Sequence, residues 1–68
     1  MNIIYPNLEK AIRDCGLLRP ALARILGISI RAFYDKLTGR TAFTLDEALL
    51  LAKRFPDVPF LELFQRQH

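Results

Sequence analysis

The sequence has few of the residues on which catalysis and metal binding usually depend. It contains one cysteine, one histidine and three glycines. One cysteine cannot form an internal disulfide, a lone histidine at the chain end leaves no metal-ligand cluster, and three dispersed glycines form no phosphate-binding loop. We therefore expect no enzymatic activity, no metal and no cofactor. An unpaired thiol is also typical of the reducing cytoplasm.

Long apolar runs are missing as well. The longest covers the five residues 48–52, whereas a membrane span needs roughly 20, and residues 1–5 lack the basic start and apolar middle of a secretion signal. The 68 residues, of which 51% are hydrophobic, are enough for one small core. We expect a single cytoplasmic domain over 1–68, with an N-terminal extension over 1–6 and a frayed tail over 65–68.

The stretch 19–40 predicts two short helices separated by a sharp turn. The first would bury an apolar face at i, i+3, i+4 spacing, formed by Leu22, Ile25 and Leu26. Gly27 ends that helix, because glycine adopts the left-handed conformation without strain, and Ser29 is a natural N-cap for the second. The inward side of the second helix would be formed by Ile30, Phe33 and Leu37. Two short helices joined in this way form a helix-turn-helix.

Three further helices complete the prediction. One begins at the N-cap Asn7 and ends before Gly16, and its apolar stripe would be Leu8, Ala11, Ile12 and Cys15. Another begins at a capping box formed by Thr44 and Glu47 and ends at Phe55, because the following proline disfavours helical geometry there. Its inward side would be Leu45, Ala48, Leu49, Ala52 and Phe55. A short last helix would contain Phe60, Leu63 and Phe64.

For other apolar residues the sequence leaves open what they pack against. The β-prone run 3–5 either lies over the core or pairs with a second copy of the chain. The helix that begins at 19 has no side-chain cap, so we expect packing of Leu17 and Leu18 to hold its start. Leu50 and Leu61 fall off the inward stripes and are either ordinary exposed leucines or a dimer contact. We favour the contact, because the chain has no second domain through which to dimerise.

Positive charge is concentrated in the predicted helix-turn-helix. The segment 17–42 carries five basic residues and one acidic residue, whereas the rest of the chain carries five basic and six acidic residues. All of the net charge of +3 therefore comes from this segment. A basic stripe confined to one element favours a polyanion as partner, although a solvated basic surface is the plainer alternative.

The spacing of Ala23, Gly27 and Phe33 resembles the DNA-binding helix-turn-helix of the Xre/Cro family of bacterial and phage repressors. The resemblance extends over 7–16, the Leu-Thr-Gly-Arg segment 37–40 and the segment 58–64, and so covers nearly the whole chain. It implies an all-α, five-helix lambda-repressor-like domain. It also implies a homodimer on double-stranded DNA, with two recognition helices about 34 Å apart on a near-palindromic site. Arg19 stands where many members carry a glutamine that contacts a phosphate, and we expect it to do the same.

The outward side of the predicted recognition helix carries the residues that would enter the major groove. They are Ser29, Arg31, Tyr34, Asp35 and Thr38. Arg31 is the best base reader, since its guanidinium matches guanine O6 and N7. Asp35 would either accept from cytosine N4 or hold Arg31 in place, and Tyr34 would touch a thymine methyl or a phosphate. Arg40 and Thr41 follow the helix and would contact backbone phosphates.

We therefore expect a sequence-specific DNA-binding regulator of transcription, most simply a repressor that blocks polymerase. The alternative is a protein-interaction module, such as an antitoxin with its partner protein or an assembly component, in which DNA binding is secondary. The leucines off the inward stripes favour the alternative, and the localisation of charge disfavours it.

Overall fold

The computed structural model describes residues 3–67, which form five helices and no strand. The helices are α1 (Pro6–Cys15), α2 (Arg19–Leu26), α3 (Ile30–Leu37), α4 (Leu45–Arg54) and α5 (Phe60–Leu63). The prediction of an all-α fold is confirmed. None of the helices in this part of the chain is long and apolar enough to cross a bilayer.

Local signals set most of the helix boundaries. The N-cap of α3 is Ser29, whose Oγ accepts a hydrogen bond from the Ala32 amide at 3.0 Å. The N-cap of α4 is Thr44, whose Oγ1 accepts from the Glu47 amide at 3.1 Å while the Glu47 carboxylate accepts from the Thr44 amide at 2.9 Å. This pair of bonds confirms the predicted capping box. α2 ends at Gly27, which takes the predicted left-handed conformation with φ 72°.

The first helix begins earlier than predicted and ends, as predicted, before Gly16. Its N-cap is Tyr5 rather than Asn7, because Pro6 suits the first helical turn, and the helix is two residues longer than predicted. Asn7 Nδ2 instead donates to the carbonyl of Glu62 at 2.9 Å and ties α1 to α5. Cys15 is exposed rather than buried. It shares the apolar stripe but stands at the end of the helix, where periodicity does not reveal how far the core extends.

The core receives side chains from all five helices and from the N-terminal segment. α2 packs against α3 and α4, and α1 packs against α5. The buried cluster consists of Tyr5, Leu8, Ile12, Leu22, Ala23, Leu26, Phe33, Leu37, Leu51, Phe55 and Leu63. Phe43, in the loop between α3 and α4, lies 5.6 Å from the Tyr5 ring and 6.4 Å from the Phe33 ring, measured between centroids. This aromatic contact holds the loop against the core.

The rotational phase of α4 was predicted incorrectly. Leu51 is fully buried, whereas Leu45 is 69% exposed and Leu49 is exposed as well. Ala48 and Phe55 are buried as predicted. The run 48–52 is apolar all around the helix, so periodicity could not decide which leucine faces inward.

Apolar residues at two helix starts are also more exposed than predicted. Leu18 is 73% exposed and Leu17 is exposed as well, so packing of these side chains does not hold the start of α2. Ile30, at the first position of α3, is exposed rather than inward-facing. Both helix starts lie at the edge of the domain, where fewer neighbours are available to cover a side chain.

Ile4 and Gln67, which come from opposite parts of the sequence, meet over the core. The Ile4 amide donates to the Leu37 carbonyl at 3.0 Å, and the Ile4 carbonyl accepts from the Gln67 amide at 2.7 Å. Residues 3–5 therefore lie over the core, and Tyr5 is buried there. The expectation of a frayed tail is wrong at Gln67, while the predictions for residues 1, 2 and 68 fall outside the described residues.

Candidate nucleic-acid interface

α3 is held by a strongly buried inner side. Phe33 and Leu37 have no solvent exposure. On the outward side Arg31 is exposed, Tyr34 and Asp35 are half-buried, and Ser29 at the N-cap is exposed. The helix thus presents a polar side to solvent while its other side is fixed by the core.

Arg31 is the most accessible charge on this helix. Its guanidinium forms no ion pair with any residue of the segment 3–67. In particular, no salt bridge links it to Asp35, so the alternative in which Asp35 holds Arg31 gains no support. An exposed guanidinium without an internal partner keeps all five of its donors for another molecule.

Thr38 and Tyr34 have partners inside the domain. The Thr38 hydroxyl donates to the Tyr34 carbonyl at 2.9 Å, and Thr38 is the C-cap residue of α3. Tyr34 packs partly against the core. Both side chains therefore have structural roles, and each retains only part of its surface for an external contact.

The loop after α3 is folded back onto the helix end. The Asp35 carbonyl accepts from the Arg40 amide at 2.9 Å and from the Thr41 amide at 3.3 Å. Gly39 permits this turn with φ 84°. The side chains of Arg40 and Thr41 are exposed, so the loop places them next to the C-terminal end of α3.

Lys36 has a role that its sequence position did not reveal. It is one of the five basic residues of the segment 17–42, but Lys36 Nζ lies 2.9 Å from Glu47 Oε1 and donates to the Ala42 carbonyl at 3.0 Å. Partial burial alone would raise the pKa of Glu47, but the Thr44 amide and the Lys36 ammonium outweigh it and leave that pKa below its usual value. Lys36 therefore stabilises the loop instead of adding free positive charge.

Arg19, at the start of α2, pairs with Glu9 of α1. Both side chains are mostly buried, and the second Glu9 carboxylate oxygen accepts no hydrogen bond from the described residues. The pair ties α1 to α2 and compensates the charge of Arg19. Three cations of the segment 17–42 are exposed and form no ion pair within 3–67, namely Arg24, Arg31 and Arg40.

No group of histidine, cysteine, aspartate and glutamate side chains in the described part of the chain converges as a metal site. Comparisons of the chain with models of known protein families, with curated proteins and with solved structures found no match.

Proposed function

We propose that the protein is a sequence-specific DNA-binding regulator of transcription, most simply a repressor, built as a lambda-repressor-like helix-turn-helix domain of the Xre/Cro type. In this proposal α2 and α3, joined by the turn 27–29, are the helix-turn-helix, and α3 is the recognition helix. The protein acts in the cytoplasm on double-stranded DNA as a homodimer.

One observation carries the proposal. The exposed and unpaired Arg31 stands on the outward side of a helix whose other side is fixed by the fully buried Phe33 and Leu37. A guanidinium that extends from a firmly held helix has the shape and the donors to bind guanine O6 and N7 in the major groove. Asp35 and Tyr34, half-buried on the same helix, are the secondary candidates for base contact.

Other exposed groups support the proposal as phosphate contacts. Arg40 and Thr41 are exposed and extend from the loop after α3. Arg19 keeps a weaker contribution, since Glu9 already compensates its charge. These groups set the register of the domain on the duplex, whereas Arg31 supplies the sequence preference.

Selection of binding sites from random duplex DNA tests the proposal. The wild-type protein is expected to enrich a near-palindromic motif, and Arg31→Ala is expected to lose about 1–3 kcal/mol of discrimination at one position of each half-site. Arg54→Ala is the matched control. It also removes an exposed arginine, but Arg54 lines a groove against α1 and does not lie on α3. Enrichment of no motif by the wild-type protein would overturn the proposal. An unchanged preference in Arg31→Ala would remove Arg31 as the base reader.

A second candidate function is a protein-interaction module, such as an antitoxin that binds a partner protein. It is favoured by exposed leucines on α4 and α5, of which Leu61 is 84% exposed. Stoichiometric co-purification with a second protein, abolished by Leu61→Glu, would support this function over the first.

A further inference from the structure

The outward side of α4 carries four exposed residues in one stripe. Asp46, Leu49, Leu50 and Lys53 follow i, i+3, i+4, i+7 spacing, and we call this stripe the α4 seam. At about 100° per residue, its centre lies about 180° from the inward side of the helix. Leu49 is 46% exposed and Leu50 is 37% exposed. Within 3–67, neither Asp46 nor Lys53 has an ion-pair partner. An apolar centre with an unpaired charge at each end is typical of a helix that packs against another helix.

The order of the charges along the seam indicates which helix packs against it. Asp46 lies near the N-terminal end of the seam, Lys53 lies near the C-terminal end, and the midpoint falls between the two leucines. If a second α4 lies alongside in the opposite direction, each Asp46 meets Lys53 of the other copy and the leucines meet at the two-fold axis. A parallel arrangement would instead place like charges opposite each other. The seam is therefore complementary to itself only in the antiparallel arrangement, as an isologous two-fold contact requires.

We propose that the α4 seam is a homodimer interface, in which two α4 helices pack antiparallel with two Asp46–Lys53 ion pairs around a leucine centre. Leu50 belongs to this interface, in line with its position off the inward stripe of the predicted helix. Leu61 lies on α5, outside the seam. This inference rests on the proposed function, because a near-palindromic site requires two copies of α3. The test of the interface itself requires no DNA.

The length of α4 sets the expected strength of the dimer. A ten-residue helix is about 15 Å long, and stable complexes usually bury about 1,200–2,000 Å² in total. Leu45, beside Leu49 and strongly exposed, adds apolar area at the margin. The dimer is therefore reversible, and the fraction of the protein that is dimeric rises with protein concentration.

Charge reversal tests the arrangement, with the oligomeric state measured by sedimentation equilibrium over a range of concentrations. Asp46→Lys and Lys53→Glu each replace two attractive pairs by two repulsive ones, and each is expected to raise the dimer dissociation constant roughly tenfold or more. An equimolar mixture of the two variants is expected to form a heterodimer, since all facing charges are then opposite. Arg54→Glu is the matched control, because it makes the same charge change in the same turn, about 90° away from the centre of the seam.

Circular dichroism verifies that each variant is folded before it is mixed, because lysine in the first turn of α4 opposes the helix dipole. A wild-type protein that stays monomeric at every concentration would overturn the proposal, as would single variants that associate like the wild type or a mixture that forms no heterodimer. An Arg54→Glu variant that dimerises as weakly as Lys53→Glu would overturn the proposal too. A dimer that binds no DNA leaves this interface standing and removes the proposed function. DNA binding that is unaffected by Asp46→Lys leaves the proposed function standing and removes this interface.

Discussion

Lys36 Nζ and Glu47 Oε1 lie 2.9 Å apart and join the end of α3 to the first turn of α4. The same Glu47 oxygen accepts from the Thr44 amide, and the same Lys36 ammonium donates to the Ala42 carbonyl. The loop that carries Arg40 and Thr41 is thus held at both ends by one ion pair. In the proposed function this pair positions the phosphate-contacting loop without touching DNA itself.

Removing the Lys36 charge is expected to destabilise the domain. Lys36→Met should lower the free energy of unfolding by about 1–3 kcal/mol, because the pair is mostly buried and each partner makes a further hydrogen bond. Lys10→Met serves as the control, since Lys10 is exposed and forms no ion pair within 3–67. Urea unfolding monitored by circular dichroism measures both variants, and equal losses of stability would contradict the role given to Lys36.

The same pair makes stability depend on pH. Because the pKa of Glu47 is lower in the folded chain than its ordinary value of 4.5, its stabilisation is complete above that value and is lost as the pH falls through the folded-state pKa. Wild-type protein should therefore be more stable than Glu47→Gln at pH 7, and the difference should shrink at pH 3. Urea midpoints at the two pH values test this. A difference that stays constant between them would contradict a stabilisation that depends on the ionised Glu47 carboxylate.

Two arginines should affect DNA binding differently. Arg40→Gln is expected to weaken binding to all sequences and to reduce the slope of log affinity against log salt by about 1, as for the loss of one phosphate contact. Arg19→Gln should reduce the slope less, since Glu9 already compensates the Arg19 charge, and should lower stability by leaving Glu9 without its partner. Fluorescence anisotropy at several salt concentrations distinguishes the two. Equal slopes for the two variants would contradict the assignment.

Gly39 is expected to tolerate a side chain less well than Gly16. Both have positive φ, 84° and 76° respectively, so alanine costs about 1–2 kcal/mol at either position. A Cβ at Gly39 would also lie 2.7 Å from Ile4 Cδ1, whereas a Cβ at Gly16 meets nothing within 4 Å.

The Ile4 side chain must turn away from such a Cβ, so Gly39→Ala should cost about 0.5–1.5 kcal/mol more than Gly16→Ala. Ile4→Val removes the Cδ1 atom and should abolish that excess. Thermal unfolding of the four proteins in the double-mutant cycle measures the coupling, and two independent, additive effects would contradict the contact.

Elements with strong local signals could be predicted from the sequence. The Ser29 cap, the capping box at Thr44 and the buried pair Phe33 and Leu37 depend on neighbours within one or two helical turns. The phase of α4 could not be predicted, because five consecutive apolar residues contain no periodic signal.

The long-range ion pairs could not be predicted from the sequence either. Lys36 and Glu47 are eleven positions apart, Arg19 and Glu9 are ten apart, and only the folded chain brings them together. Their discovery changes the candidate site, since two of the five cations of the basic segment are compensated inside the domain. Arg31 and Arg40 remain exposed, as the periodicity of α3 and the position of the loop indicated.

The most direct test of the recognition surface is an amide-resolved NMR titration of the protein with duplex DNA of the selected sequence. The account predicts chemical-shift changes concentrated in residues 29–41, with the largest side-chain change at the Arg31 guanidinium, and small changes at the start of α2. Shifts confined to α1 and α5, or an Arg31 signal that does not move, would contradict the claim that the outward side of α3 contacts the bases.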